Sequence, residues 1–375
     1  MTQGKHRTSV RLWAAAARRA ALVLVTLVVT VGLGCSGSGS APGRPSQSEQ
    51  SSQTGPASGG RVVVYSSVDQ VFAEPICKQF EKETGIQVEL VPDTEETKST
   101  GLLNRLIAEK DRPRADVFWS GDPVRAAVLK LKGVSAPYVS PAAEGLPKEF
   151  SDPEHYWTCF SARARVLIYN TDLVPPDQRP TSVFDLADQR FRGQGCLANP
   201  LFGTTSMHAA ALFQVLGDQQ ARRFFQSLAA NGVEILSSNG EVRRRVANGQ
   251  FAFGLTDTDD VNEALRDGKP VGFVFPDAKG MGTLVVPNAV VLIAGAPHLD
   301  NAKKFIDYLL RPETEQALAC SAAQMPLRPN VPLPEGFPFP PVTQLKAMPV
   351  DYQLLASKLE QLSSGFLKQW VDENL

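Results

Sequence analysis

Short apolar runs that end abruptly in hydroxyls or carboxylates constrain this chain more than any other feature. Residues 61–65 run into Ser66-Ser67-Val68-Asp69, and residues 115–119 run into Ser120-Gly121-Asp122-Pro123. The most pronounced run is Phe251-Ala252-Phe253-Gly254-Leu255, which ends in Thr256-Asp257-Thr258-Asp259-Asp260. Buried strands of a parallel sheet read as continuous apolar runs, and open α/β sheets place their ligands at the strands' C-terminal ends. Asp257, Asp259 and Asp260 repel one another, so a cation, arginines or helix N-termini should offset them. A solvated acidic turn is the plain alternative.

Helical patterns alternate with these runs. A helix carrying Phe72, Ile76 and Phe80 is stopped by Gly85, a strand follows over 86–91, and Leu102, Leu103, Leu106 and Ile107 share one face of the next helix. The order βαβαβ predicts a parallel sheet with right-handed crossovers. A second unit begins near Tyr156. In it a strand over 161–170 puts Arg163 and Arg165 on one face, a strand over 195–198 precedes Gly203-Thr204-Thr205-Ser206, and a helix begins near Met207. A helix over 218–230, a strand through Ile235, the polar run Ser237-Ser238-Asn239 and a short helix with Val242 and Val246 lead to the aspartate-ending strand. Residues 282–293 are extended and return the chain to the first unit, 302–310 form an amphipathic helix, and 351–375 are helical. The expected organisation is lobe 1 over 61–155 and 283–335, lobe 2 over 156–282, and a helical tail over 336–375.

The first 34 residues read as an export leader, with Lys5, Arg7, Arg11, Arg18 and Arg19 ahead of an apolar stretch too short to span a bilayer. Val31-Gly32-Leu33-Gly34-Cys35 resembles a bacterial lipobox, with Gly32 where Leu is usual, so Cys35 is the expected lipidation site; ordinary secretion, with Cys35 lost or paired, is the alternative. Residues 36–60 are almost all Ser, Gly, Gln, Pro and Ala and form a tether. Without the leader, 33 Lys/Arg stand against 39 Asp/Glu, a net charge of about −6, which argues against nucleic acid as a partner. Cys77, Cys159, Cys196 and Cys320 lack zinc-site spacing; bridges or buried thiols are expected, with Cys159–Cys196 the expected pair.

Val64-Tyr65-Ser66-Ser67, Ala115-Asp116-Val117-Phe118-Trp119-Ser120, Arg163-Ala164-Arg165-Val166 with Tyr169-Asn170, Asn199-Pro200-Leu201-Phe202-Gly203-Thr204, Gly254-Leu255-Thr256-Asp257 and Ala302-Lys303-Lys304-Phe305-Ile306-Asp307 occur in one colinear order. Together they resemble the ferric-ion class of solute-binding proteins of ABC importers, from about Arg61 to Arg328. The resemblance implies a type II periplasmic binding protein: two α/β lobes joined by two hinge crossovers, closing on a ligand and delivering it, as a monomer, to a permease with its ATPase. The class's iron ligands are replaced. Its two tyrosines match Asp259 and Asp260, its histidine matches Asp69, and its glutamate matches Gly121, beside Asp122. Its anion-binding features carry over as Arg163, Arg165, Thr204, Thr205 and Asn239.

The ligand site is therefore expected from Ser66, Ser67, Asp69, Ser120 and Asp122 of one lobe and Arg163, Arg165, Thr204, Thr205, Asn239, Asp257, Asp259 and Asp260 of the other. Carboxylates facing Arg and helix N–H groups suit a phosphonate, a phosphate ester or a zwitterion. A metal held by Asp69, Asp257, Asp259 and Asp260 stays open as an alternative, with no other cofactor expected. Tyr65, Trp119 and Trp157 are either cleft walls or core. Carboxylates also serve acid–base chemistry, so a secreted enzyme is the reading of another class. Against it, His155, His208 and His298 form no HExxH pair, and GxSxG and Walker-type sequences are absent.

Overall fold

The computed structural model describes residues 60–93 and 100–375; the leader, Cys35, the tether and the polar run at 94–99 lie outside the described residues. In chain order the first unit contains β1 (Arg61–Ser66), α1 (Gln70–Thr84), β2 (Gln87–Pro92), α2 (Thr100–Ala108), β3 (Val117–Ser120), α3 (Pro123–Leu131) and β4 (Ser135–Ala136). The second contains β5 (Thr158–Asn170), β6 (Gly195–Ala198), α4 (Gly203–Leu216), α5 (Asp218–Ala230), β7 (Glu234–Leu236), α6 (Asn239–Ala247), β8 (Phe253–Asp257), α7 (Thr258–Arg266) and β9 (Val271–Val274). The chain returns through β10 (Val285–Ile293), α8 (Leu299–Leu309) and α9 (Pro312–Ala322), then ends in α10 (Tyr352–Ser364) and α11 (Phe366–Asn374).

β1 pairs parallel with both β2 and β3, as the βαβαβ order predicts. Its side chains alternate between two cores. Val62 and Val64 pack with Phe72, Ile76, Phe80 and Phe305, whereas Val63 and Tyr65 pack with Leu102, Leu103 and Leu106. Burial on both faces is why the run reads as continuously apolar. Asp116 is fully buried and satisfied: it accepts from the Val63 N–H at 2.7 Å and the His298 N–H at 2.6 Å, tying β1 to the start of α8.

The strands run in the order β2-β1-β3-β10-β5-β8-β6-β7. β5 belongs to both lobes. Its residues from Thr158 to Ala164 pair with β10, and those from Arg165 to Tyr169 pair with β8. The change of partner strand on β5 thus falls at Ala164/Arg165. At the crossover Pro287 faces Ala162 and Asn288 faces Phe160, so Ser161 is an extra, bulged residue. Its φ is 38°, and its buried hydroxyl has no hydrogen-bond partner. Both features disfavour serine there. Ser161→Gly is expected to stabilise the protein by about 1 kcal/mol, the relief of a left-handed φ and an orphaned hydroxyl less the added chain entropy. Urea denaturation reads the change, and an equal loss of stability would refute it.

Several expectations change. Helix α4 starts at Gly203, so the hydroxyl run is its first turn and not a lead-in; Gly203 itself adopts φ 52° to start that turn. Cys77, Cys159 and Cys196 are buried free thiols and Cys320 is exposed, so no Cys159–Cys196 bridge exists. The physical reason is placement: Cys159 pairs with Ala289 of β10 in the first lobe, while Cys196 pairs with Glu234 and Gly254 in the second. The helices expected over 351–375 are present as α10 and α11. α10 packs on both α3 and α4. Lys132–Glu360 at 2.7 Å and Lys358–Asp218 at 2.5 Å join it to each side, and the Trp370 indole donates to Phe225 O. Among the described residues no helix is long and apolar enough to cross a membrane.

Candidate functional site

A cavity lies where β1, β6, β7 and β8 end and α1, α4, α6 and α7 begin. Ser67, Asp69 and Phe72 line it from the first lobe, Arg163 from the crossover strand, and Asn199, Phe202, Gly203, Thr204, Thr205, Ser237, Ser238, Asn239, Gly240, Asp257, Asp259, Asp260 and Glu263 from the second. The first N–H groups of a helix have no intrahelical partner and carry partial positive charge. Here Asp69, Phe202 and Asp257 occupy the cap positions of α1, α4 and α7 without a side-chain capping bond. Only α6 is capped, by Ser238 accepting from the Glu241 N–H. Four helix N-termini therefore converge on one cavity.

Behind the wall stands Arg165, fully buried, which ties the wall's polar side chains together. The guanidinium donates to Asp257 Oδ1 at 2.7 Å, Thr204 Oγ1 at 2.9 Å, Asn239 Oδ1 at 3.2 Å and Thr205 Oγ1 at 3.2 Å. Thr204 Oγ1 in turn donates to Asp257 Oδ2 at 2.7 Å. Arg163 spans the lobes. It donates to Gly121 O at 2.6 Å in the first lobe and lies 3.4 Å from Asp257 and 3.5 Å from Asp259 in the second. Asp260 accepts from Thr256 Oγ1 at 2.6 Å, and Glu263 pairs with Arg243.

The electrostatics split the carboxylates. Burial alone would raise Asp257, but Arg165 and Arg163 beside it hold it below the usual carboxylate range. Burial pushes Asp259 up to about 7 against the pull of Arg163, with the charges of Asp260, Asp257 and Asp69 adding to the rise. Burial and the neighbouring Arg165 push His208 down to about 3. It is neutral on the inner face of α4 and lines no part of the cavity.

Of the residues expected at the site, Ser67, Asp69, Arg163, Thr204, Thr205, Asn239, Asp257, Asp259 and Asp260 are brought together on the cavity wall. Ser66, Ser120, Asp122 and Arg165 are not on it. The Ser66 hydroxyl accepts from the Val68 N–H, and Ser120 donates to Asp122 O. Asp122 caps α3 and pairs with Arg125, so local turn and cap bonds consume all three side chains. Tyr65, Trp119 and Trp157 are core. Sequence reasoning missed Arg125, which is buried and donates across the lobes to Ser206 Oγ at 2.6 Å. A charged residue inside the apolar run Pro123-Val124-Arg125-Ala126-Ala127-Val128 was the available signal. It also missed Phe72 and Phe202, the aromatic side chains of the cavity wall.

The sequence profile of the bacterial extracellular solute-binding protein family matches residues 75–349, well over half of the chain. The chain belongs to this family. This solute-binding protein is 28% identical over 283 residues to iron uptake protein A1 of Synechocystis sp., covering 72% of this chain and 76% of the relative. It is 29% identical over 261 residues to a Salmonella paratyphi A periplasmic protein named for binding 2-aminoethylphosphonate, covering 67% and 73%. Its fold superposes on the ferric binding protein from Campylobacter jejuni with a TM-score of 0.73 at 22% identity, over 83% of this chain and 98% of that one. The two-lobed α/β fold expected from the sequence is thereby shown, as is the likeness to ferric-ion binders. The relatives' names divide between a metal and a zwitterion, so the chemistry of this protein's own cavity has to separate them. Within it, oxygens of Asp257, Asp259 and Asp260 lie within 4.8 Å of one another, while Asp69 stands outside that group.

Proposed function

We propose that this solute-binding protein captures a small zwitterion, bearing a phosphonate or phosphate and an amine, between its lobes. The observation that carries the reading is one cavity lined both by the first turns of α4 and α6 and by the carboxylates Asp69, Asp257, Asp259 and Asp260 at the starts of α1 and α7. The anion faces the first-turn N–H groups of α4 and α6. The amine faces Asp259, Asp260 and Asp69. A ligand touching both lobes favours their closed arrangement, the state recognised by an ABC permease. The export leader and Cys35 support a lipid-anchored protein outside the cytoplasm, tethered by residues 36–60. A ferric reading draws on the clustered aspartates and on the relatives' names.

Calorimetric titration separates the two. The domain from Gly60 onward is expected to bind 2-aminoethylphosphonate at least tenfold more tightly than ethylphosphonate, which lacks the amine. At pH 8, Asp259→Asn and Asp260→Asn should each weaken that binding more than tenfold, the cost of a lost charge-assisted contact in a buried site. Stoichiometric ferric binding with no phosphonate binding would sink the zwitterion reading.

A further inference from the structure

The acidic cluster already contains a cation. Arg163 is 8% exposed, and its Nη1 lies 3.4 Å from Asp257 and 3.5 Å from Asp259, two of the three residues whose oxygens could converge on an ion. The guanidinium is held from the opposite lobe by the 2.6 Å bond to Gly121 O. Gly121 permits that approach: a Cβ there would stand 3.2 Å from Arg163 Nη2. Its Nε is buried and has no hydrogen-bond partner, so part of the side chain's bonding capacity has been given up to reach this position. Arg165 supplies a second positive charge to Asp257 at 2.7 Å.

We infer that Arg163 is a specificity-determining residue: it serves as the resident cation of the cluster and denies Asp257, Asp259 and Asp260 to metal ions. An ion shared by these carboxylates needs oxygens at roughly 2.0–2.6 Å, and it would lie against a guanidinium that already touches two of them. The arginine cannot neutralise by losing its proton, so the repulsion persists at every working pH. An alkylammonium differs from a metal ion here. It needs no multidentate shell and can contact Asp260 and the other oxygen of Asp259 while Arg163 keeps Asp257 Oδ2 and Asp259 Oδ2. This selection deepens the zwitterion reading and rests on it for the identity of the ligand, but its test does not require that ligand.

The test titrates wild type, Arg163→Met, Arg163→Lys and Arg163→Met/Asp259→Asn with Tb³⁺, a trivalent ion that prefers oxygen donors. Calorimetry and metal analysis after gel filtration give the affinity and the stoichiometry. Arg163→Met is expected to gain one equivalent of metal with affinity at least about a hundredfold above wild type, the scale on which a like charge at contact distance shifts an ionic equilibrium. Arg163→Lys should stay close to wild type, and the double variant should lose the gain. Should Arg163→Met fail to fold by circular dichroism, Arg163→Gln removes the same charge and carries the test. The inference is overturned if wild type binds one Tb³⁺ within tenfold of the variant, if neither neutral variant gains a metal, or if the gain survives Asp259→Asn. Titration of wild type with 2-aminoethylphosphonate is run alongside. Its failure would count against the ligand class alone, since metal uptake by the variant reads only the carboxylates.

Discussion

Arg165→Met should lower the unfolding free energy by about 3–5 kcal/mol, because it strands a buried carboxylate whose main partner is gone. Asp257 is 2% exposed, its shorter bond to an arginine is the one to Arg165, and Arg163 remains 3.4 Å away, fixed to Gly121 O. The same guanidinium orders the Thr204 and Thr205 hydroxyls and Asn239, so the cavity wall loosens along with the fold. At about 2–4 °C per kcal/mol, the melting temperature should fall by roughly 6–20 °C. The pH dependence has a definite sign. Asp257 is depressed in the folded state, so its contribution is present above the unfolded carboxylate pKa and is lost as pH falls through the folded value. In Arg165→Met that acid-side loss should shrink, and adding Asp257→Asn should recover part of the stability. A fall below 1 kcal/mol would mean that Arg165 is dispensable to the network.

The role of Arg165 also marks where the sequence stops being informative. Alternation along 161–170 places Arg163 and Arg165 on one face, and both do point toward the aspartates. Periodicity carries no information on depth. Arg165 lies where β5 has joined β8 and is sealed beneath α4, whereas Arg163 sits at the crossover, where the two sheets part. Strand-end clusters were legible for the same reason that open α/β sheets bind ligands there: the chain changes from a buried strand to a solvated turn, and residue type changes with it. Which hydroxyls stay available was not legible. Ser66, Ser120 and Asp122 bond within two or three residues of themselves, a choice made by turn geometry that composition does not encode. The cross-lobe bond from Arg125 to Ser206 and the seating of α10 on both lobes connect segments far apart in the chain, beyond any local window.

The affinity for 2-aminoethylphosphonate should rise with pH, and the ratio of wild type to Asp259→Asn should rise most steeply between about pH 6 and 8. Asp259 is pushed up to about 7, so near neutrality the empty protein holds a mixture of carboxyl and carboxylate there. An amine binds the carboxylate better, and at low pH the protein must first release a proton. Below the folded pKa this costs up to about tenfold in affinity per pH unit. The ligand's phosphonate titrates in the same region, but that contribution is common to both proteins and cancels in the ratio. Stability runs the other way. The unfolded carboxyl ionises near 3.9, and the folded one keeps its proton up to about 7, so stability falls as pH climbs between those values and levels off above them. Asp259→Asn removes this loss, so it should match wild type at pH 4 and exceed it by about 1–3 kcal/mol at pH 8. The substitution that weakens binding at pH 8 should therefore stabilise the fold at the same pH. Parallel affinity profiles for the two proteins, or an Asp259→Asn protein less stable than wild type at pH 8, would show that Asp259 is ionised and compensated in the empty cavity.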